Sequence, residues 1–296
     1  MTATGRHRAA LAGALAVSVA IFAVEVVGAL VTGSLALLAD AGHVLADAGG
    51  VALALSATLL AARPATGRRT FGWARAEILA AAVNGLVLAG MGVYVSVEGV
   101  RRLFEPSAVE PGGMALFGVI GLAGNLVGVA LLWRARDAGL NMRGAFLEVA
   151  TDTVTSVGVL AAAAVIATTG FTRADAIVSV LIGLVIAPRA VRLLREAVNV
   201  LLEATPSGID LDLIRRHIVE LDHVLGVHDL HVHTVTSGLP VLSAHVVVRD
   251  GCFQDGHAPQ LLDALQSCLA GHFDVAHSTF QLEPAGHADH EHLTHP

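Results

Sequence analysis

His43 and Asp47 stand four residues apart in Leu38-Ala39-Asp40-Ala41-Gly42-His43-Val44-Leu45-Ala46-Asp47, inside a long apolar run. At that spacing they fall on one face of a helix, one turn above the other. Ionisable groups deep in an apolar segment are costly and by default mark a functional site. A second pair, Glu148 and Asp152, has the same spacing in Ala145-Phe146-Leu147-Glu148-Val149-Ala150-Thr151-Asp152. One imidazole and three carboxylates make four N/O ligands. Such a set suits a tetrahedral divalent ion, with Zn²⁺ the natural guess, although carboxylates also admit harder ions. Metal binds carboxylate and neutral imidazole, so binding expels protons and protonation expels metal. A site open alternately to either side would exchange a cation for protons. For one pair alone, an interhelical hydrogen bond is the competing reading.

The two pairs must reach the same depth to meet. Asp47 lies about 18 Å along a helix from Leu35, and Asp152 about 13.5 Å from Arg143 at the opposite edge, hence ~16 Å from the outer edge of a ~30 Å hydrocarbon core. They are therefore expected to converge near mid-membrane. Asp40, one turn outward from His43, suits an exit path or a structural, helix-start role equally. Glu25, Asn84 and Asn125 read as interhelical hydrogen-bonding groups. No H-E-x-x-H occurs, and four protein ligands leave no open position for catalytic water, so no enzyme is expected. A metal sensor or receptor without flux is the other alternative.

The elements that carry these residues follow from composition. The chain has 296 residues, 54% hydrophobic and 15% charged, against about 25% charged in soluble domains. Six segments are long enough to span a bilayer, each needing roughly 20 residues: Leu11–Val31, Leu35–Ala62, Glu77–Val100, Met114–Trp133, Ala145–Thr168 and Ala174–Leu194. The first is long for a signal-peptide core. Arginine placement orients them. Arg6, Arg8, Arg63, Arg68, Arg69, Arg75, Arg134, Arg136, Arg143, Arg189, Arg192 and Arg195 mark one side, and Arg101, Arg102 and Arg173 the other. Both termini are thus expected in the cytoplasm, and the protein in the cell (inner or plasma) membrane. A net charge of −7 without any lysine carries no nucleic-acid signal. Cys252 and Cys268 form no disulfide framework and read as small buried thiols, Cys252 with a second possible role as a ligand.

Beyond Thr205 the pattern changes. Leu211–Leu221 reads as a helix, Val224–Thr236 and Pro240–Arg249 as strands around Thr236-Ser237-Gly238-Leu239, Pro259–His272 as a helix and Val275–Glu283 as a strand. The order αββαβ suits a small two-layer α+β domain of ferredoxin-like type. The expected division is a six-span transport domain at 1–204, a cytoplasmic metal-binding and dimerisation domain at 205–284, and a disordered tail at 285–296. The tail carries His287, His290, His292 and His295, a set suited to weak metal scavenging.

Four stretches carry a resemblance over nearly the whole length: Gly33-Ser34-Leu35-Ala36-Leu37-Leu38-Ala39-Asp40-Ala41-Gly42-His43, Arg69-Thr70-Phe71-Gly72-Trp73-Ala74-Arg75-Ala76-Glu77-Ile78-Leu79, Arg143-Gly144-Ala145-Phe146-Leu147-Glu148, and His228-Asp229-Leu230-His231-Val232. With these the chain resembles the cation diffusion facilitator family, in its bacterial cobalt–zinc–cadmium resistance branch. The resemblance implies a homodimer with a metal site between the second and fifth spans and a cytoplasmic metallochaperone-like domain. It also implies export of Zn²⁺ and related ions such as Cd²⁺ and Co²⁺ against protons. The membrane site carries over to His43, Asp47, Glu148 and Asp152. Many zinc-transporting members have His where Glu148 stands; Glu occurs in the resistance branch, which leaves a Mn²⁺ or Fe²⁺ preference open. Family metal positions in the cytoplasmic domain match His228, His245, His257 and Glu283, where bound Zn²⁺ would be regulatory. His233 stands where relatives often have Trp, and reads as packing. Ala65–Arg75 has no His or Asp for a second-to-third loop site, and Arg134–Arg143 is not His-rich.

Overall fold

A computed structural model describes residues 3–61, 63–133, 140–273, 275, 277–287 and 290. Arg134, Arg136, His292 and His295 lie outside the described residues. Six long helices come first: α1 (Ala3–Thr32), α2 (Leu35–Ala61), α3 (Ala76–Phe104), α4 (Pro111–Trp133), α5 (Leu140–Thr169) and α6 (Arg173–Leu201). Five of them contain stretches long and apolar enough to cross a membrane, among the described residues. The remaining one, α2, is a 27-residue helix, about 40 Å long at 1.5 Å per residue. Large apolar side chains such as Val83, Leu86, Val93 and Val97 on α3 stay exposed, as lipid-facing positions must. This is a multi-pass membrane protein.

The chain forms two compact units, Met1–Ser56 with Ala80–Leu194, and Ala57–Leu79 with Arg195–Pro296. In the first, small residues let helices approach closely. The buried face of α4 repeats Gly118, Gly121, Asn125, Gly128 and Leu132. A Cβ on Gly42 would lie 2.6 Å from the Met91 side chain of α3. Glycine before His43 therefore lets α2 and α3 touch. The start of α2 is held from a distance in sequence. Asp175 of α6 accepts hydrogen bonds from Ser34 Oγ at 2.6 Å, Leu35 N–H at 2.8 Å and Ala36 N–H at 3.1 Å. Ser34 Oγ in turn accepts from Leu37 N–H at 3.1 Å. These acceptors satisfy first-turn donors that have no partner within the helix. An acidic group there also suits the helix dipole.

The second unit holds α7 (Leu211–Val219), β1 (Val224–Thr234), β2 (Pro240–Val248), a 3₁₀ turn at Asp250–Phe253, α8 (His257–His272) and β3 (His277–Pro284). The element order is the expected αββαβ. Strand order is β1-β2-β3, with β1–β2 antiparallel and β2–β3 parallel; the parallel return needs the crossover that α8 supplies. Asp210 caps α7 by accepting from Asp212 and Leu213 N–H at 2.9 and 3.1 Å. Ile214, Ile218, Leu265 and Leu269 pack on Leu242, Ala244, Val246 and Val248, each fully buried Leu or Ile contributing about 1.5–3 kcal/mol. Because strand side chains alternate, His245 faces away from that core. Thr236 and Ser237 donate to the two Glu77 oxygens at 2.9 and 3.0 Å, joining the β1–β2 turn to the first turn of α3.

Candidate metal centres

The first unit brings the two membrane pairs together. His43 Nε2 lies 3.2 Å from Asp152 Oδ1 and 3.7 Å from Asp47 Oδ2. One ligand atom from each of these three residues falls within 4.8 Å of the others, the reach of a single cation. Both His43 ring nitrogens and Asp152 Oδ1 are buried without a hydrogen-bond partner among the described residues. Buried polar atoms normally have partners, so this donor set fits a cation. Glu148 is placed differently. Its Oε1 meets Arg189 Nη2 at 2.6 Å, and it stays outside the His43–Asp47–Asp152 group. Arg189 also reaches Asp47, with Nη2 2.8 Å from Oδ1 and Nη1 donating to Oδ2 at 3.1 Å. Asp47, Glu148 and Asp152 line one cavity of about 120 Å³ with Ala48 and Val149.

Asp40 is engaged elsewhere. It accepts from Thr155 Oγ1 at 2.5 Å and Ser156 Oγ at 2.9 Å, while Asn125 Nδ2 donates to Ser156 Oγ at 3.0 Å. Asp40 and Asn125 thus tie α2 and α4 to α5. Glu25 of α1 is fully buried and neighbours Asp40 of α2.

In the second unit, His245 Nδ1 lies 2.7 Å from Glu283 Oε1, and His228 Nε2 lies 3.1 Å from Glu283 Oε2. The two imidazoles meet edge to face, 5.1 Å between centroids. Strand pairing explains the convergence. His228 sits opposite His245, and Glu283 is two residues beyond Gln281, the partner of His245, on the same face. A bulge follows His228, with Asp229 in the left-handed region at φ 47°. It leaves Asp229 Oδ2 3.2 Å from His228 Nδ1. His257 does not join this group. It opens α8, its ring 5.2 Å from that of His223 at a tilt of 41°, and pairs with Asp255 at 2.7 Å. That contact holds the Asp255 carboxyl below its usual range. His233 lines a cavity with Arg75, Glu203 and Val235. Neither cysteine is in a disulfide; Cys252 is buried, whereas Cys268 is only partly so, and burial, then nearby Glu220, raises the Cys268 thiol.

Comparison with known proteins bears on what these clusters belong to. The cation efflux transmembrane domain matches residues 11–202. The chain belongs to the cation efflux family. The cytoplasmic domain of cation efflux proteins matches residues 206–285. Among relatives, the metal cation efflux system protein CzcD of Cupriavidus metallidurans is 41% identical over 287 residues, 96% of this chain and 90% of that protein. The zinc transporter ZitB of Escherichia coli is 40% identical over 272 residues, 91% of this chain and 85% of that protein. The cadmium, cobalt and zinc/H(+)-K(+) antiporter of Bacillus subtilis is 35% identical over 266 residues, 89% and 85% of the two chains.

Three residues of this cation efflux protein had no part in the sequence-based site. Arg189 counted only toward orientation, yet a cation immediately after Pro188 inside an apolar helix was a signal available to find it. Asp175 carried a similar signal. Asp229 stood within the quoted His228–Val232 stretch, but nothing in its spacing indicated a bulge.

Proposed function

We propose that this protein is a secondary transporter exporting Zn²⁺, with Cd²⁺ and Co²⁺ as further cargo, from the cytoplasm in exchange for protons. It works as a homodimer in the cell membrane with both termini cytoplasmic. His43, Asp47, Glu148 and Asp152 hold the cargo. The observation that carries the reading is the approach of His43 Nε2 to Asp152 Oδ1 at 3.2 Å, which sets the α2 pair against Asp152 of α5, one helical turn from Glu148. The relatives' names, a zinc transporter and a cadmium, cobalt and zinc antiporter among them, support the cargo. Protonation of the carboxylates and imidazole releases metal, and deprotonation readmits it. An inward proton gradient then drives a dication outward, and a membrane potential negative inside adds to that drive when more than two protons enter per ion.

The cytoplasmic His228–His245–Glu283 group is the regulatory metal site. With one residue on each of β1, β2 and β3, a bound ion can stiffen the sheet and bias the transport cycle. The same group favours a second reading, a sensor without flux. Uptake of Zn²⁺ into inverted vesicles separates them. Wild type should accumulate Zn²⁺ when the vesicle interior is acidic, and Asp47→Ala should not. Accumulation indifferent to a collapsed pH gradient would exclude the antiport, and absence of flux from wild type would leave the sensor.

A further inference from the structure

The membrane cluster holds one more carboxylate than a dication needs. Asp47, Glu148 and Asp152 bring three negative charges and His43 none in its neutral, ligating form. A bound dication would leave the site at minus one, inside helices that cross the apolar part of the membrane. The guanidinium of Arg189 lies against two of the three carboxylates, at 2.8 and 3.1 Å from Asp47 and 2.6 Å from Glu148. A long arginine side chain on a spanning helix would ordinarily extend toward the headgroups. This one turns inward and bridges α2 and α5 from α6. A guanidinium keeps its charge at any working pH, so the bridge is permanent positive charge.

We propose that Arg189 is the charge-compensating residue of the cargo site. It offsets Glu148, so that three carboxylates, one guanidinium and one dication sum to zero. It also positions Glu148 at the cavity mouth as the ligand exchanged last and lost first. The inference rests on the reading that His43, Asp47, Glu148 and Asp152 bind the cargo. Exposure orders the carboxylates accordingly: the Asp152 and Asp47 side chains are 5% and 12% exposed, Glu148 and Arg189 40% and 37%. Two buried acids with His43 form the inner part of the site, and the Glu148–Arg189 pair its exposed edge. Uncompensated, the site would hold a dication too tightly to release it, because affinity for hard ions rises with ligand charge and charges interact strongly away from water. Glu148 and Arg189 thus act together as the equivalent of a neutral fourth ligand.

The test is Zn²⁺ titration calorimetry on full-length protein with His245→Ala throughout, so that the cytoplasmic group does not contribute, paired with flux in proteoliposomes. Arg189→Gln should tighten binding at least about tenfold and lower KM and kcat together, as release slows. Arg189→Lys, which keeps the charge, should bind within about threefold of the parent. Glu148→Gln should weaken binding at least about tenfold, and adding Arg189→Gln to it should restore affinity to within about threefold of the parent. Weaker or unchanged binding in Arg189→Gln, or a double variant no better than Glu148→Gln, would overturn the proposal. If Arg189→Gln alone does not fold, as melting in detergent would reveal, the comparison of Glu148→Gln with the double variant decides. Asp152→Asn separates this from the ligand reading beneath it. Binding lost in Asp152→Asn while Arg189→Gln stays unchanged defeats only the compensation, whereas parental binding in Asp152→Asn defeats the cargo site itself.

Discussion

At the scale of single residues, the two metal clusters differ in how their ligands are held. His43 and Asp152 are buried and face each other, while Glu148 is committed to Arg189. In the cytoplasmic group, Glu283 is the centre: 1% exposed, it meets His228 and His245 with separate oxygens. It also accepts from Gln281 Nε2 at 2.8 Å. Removing a buried carboxylate that serves two imidazoles should cost more than removing a peripheral histidine. His257 is such a peripheral residue, tied to Asp255 on the surface. Full-length protein carrying Asp47→Ala should therefore retain cytoplasmic Zn²⁺ binding when His257→Ala is added and lose it with His245→Ala. Competition against a chromophoric chelator reads this directly. Equal loss in both variants would place His257 among the ligands.

At the scale of elements, α2 presents the first pair, and Asp175 on α6 fixes where α2 begins. The carboxylate takes hydrogen bonds from one side chain and two backbone N–H groups, with Arg102 Nη1 3.8 Å away. Within a bilayer these donors have no water to fall back on. Asp175→Ala should lower stability by about 1–2 kcal/mol as the loss of a strong cap, seen as a lower melting temperature in detergent. Asp175→Asn, which keeps an acceptor, should lose less. A melting temperature unmoved by Asp175→Ala would mean that α2 is held by packing alone. Gly42 against Met91 and the glycine face of α4 are the packing part of that support.

At the scale of the whole molecule, the second compact unit takes in residues 57–79 as well as the C-terminal domain. Polar links hold that segment. Glu77 accepts from Thr236 and Ser237, and Arg75 Nη2 donates to Glu203 Oε1 at 2.7 Å. The Arg75 hydrogen bond holds the Glu203 carboxyl below the ordinary glutamate value. A depressed folded-state value stabilises the fold above the ordinary glutamate range, and the gain is lost as pH falls through the folded value. Glu203 is 53% exposed, so solvent and salt keep the effect small. Arg75→Gln should therefore melt slightly lower than the parent at pH 7, with the gap closing below pH ~4 and in high salt. A gap independent of pH would show that Arg75 does not act through its pairing with the Glu203 carboxylate.

The sequence by itself determined the architecture and most of the chemistry. Long apolar runs report membrane helices because a bilayer admits few other spanning structures. The i,i+4 spacing of His43 with Asp47 and of Glu148 with Asp152 reports a shared helix face, because both are local consequences of helix geometry. The alternation beyond Val224 reported the strands for the same reason. What lay beyond reach was every relation between elements distant in the chain. Arg189 meets Asp47 across 142 positions and Glu148 across 41, and Asp175 caps α2 from 140 positions away at Leu35. His257 was grouped with His228 and His245 by resemblance, but the Gly256 entry to α8, at φ 83°, turns it toward Asp255. Spacing encodes which residues share a face. Only packed helices and paired strands decide which faces meet, and here that decided which charges surround the metal site.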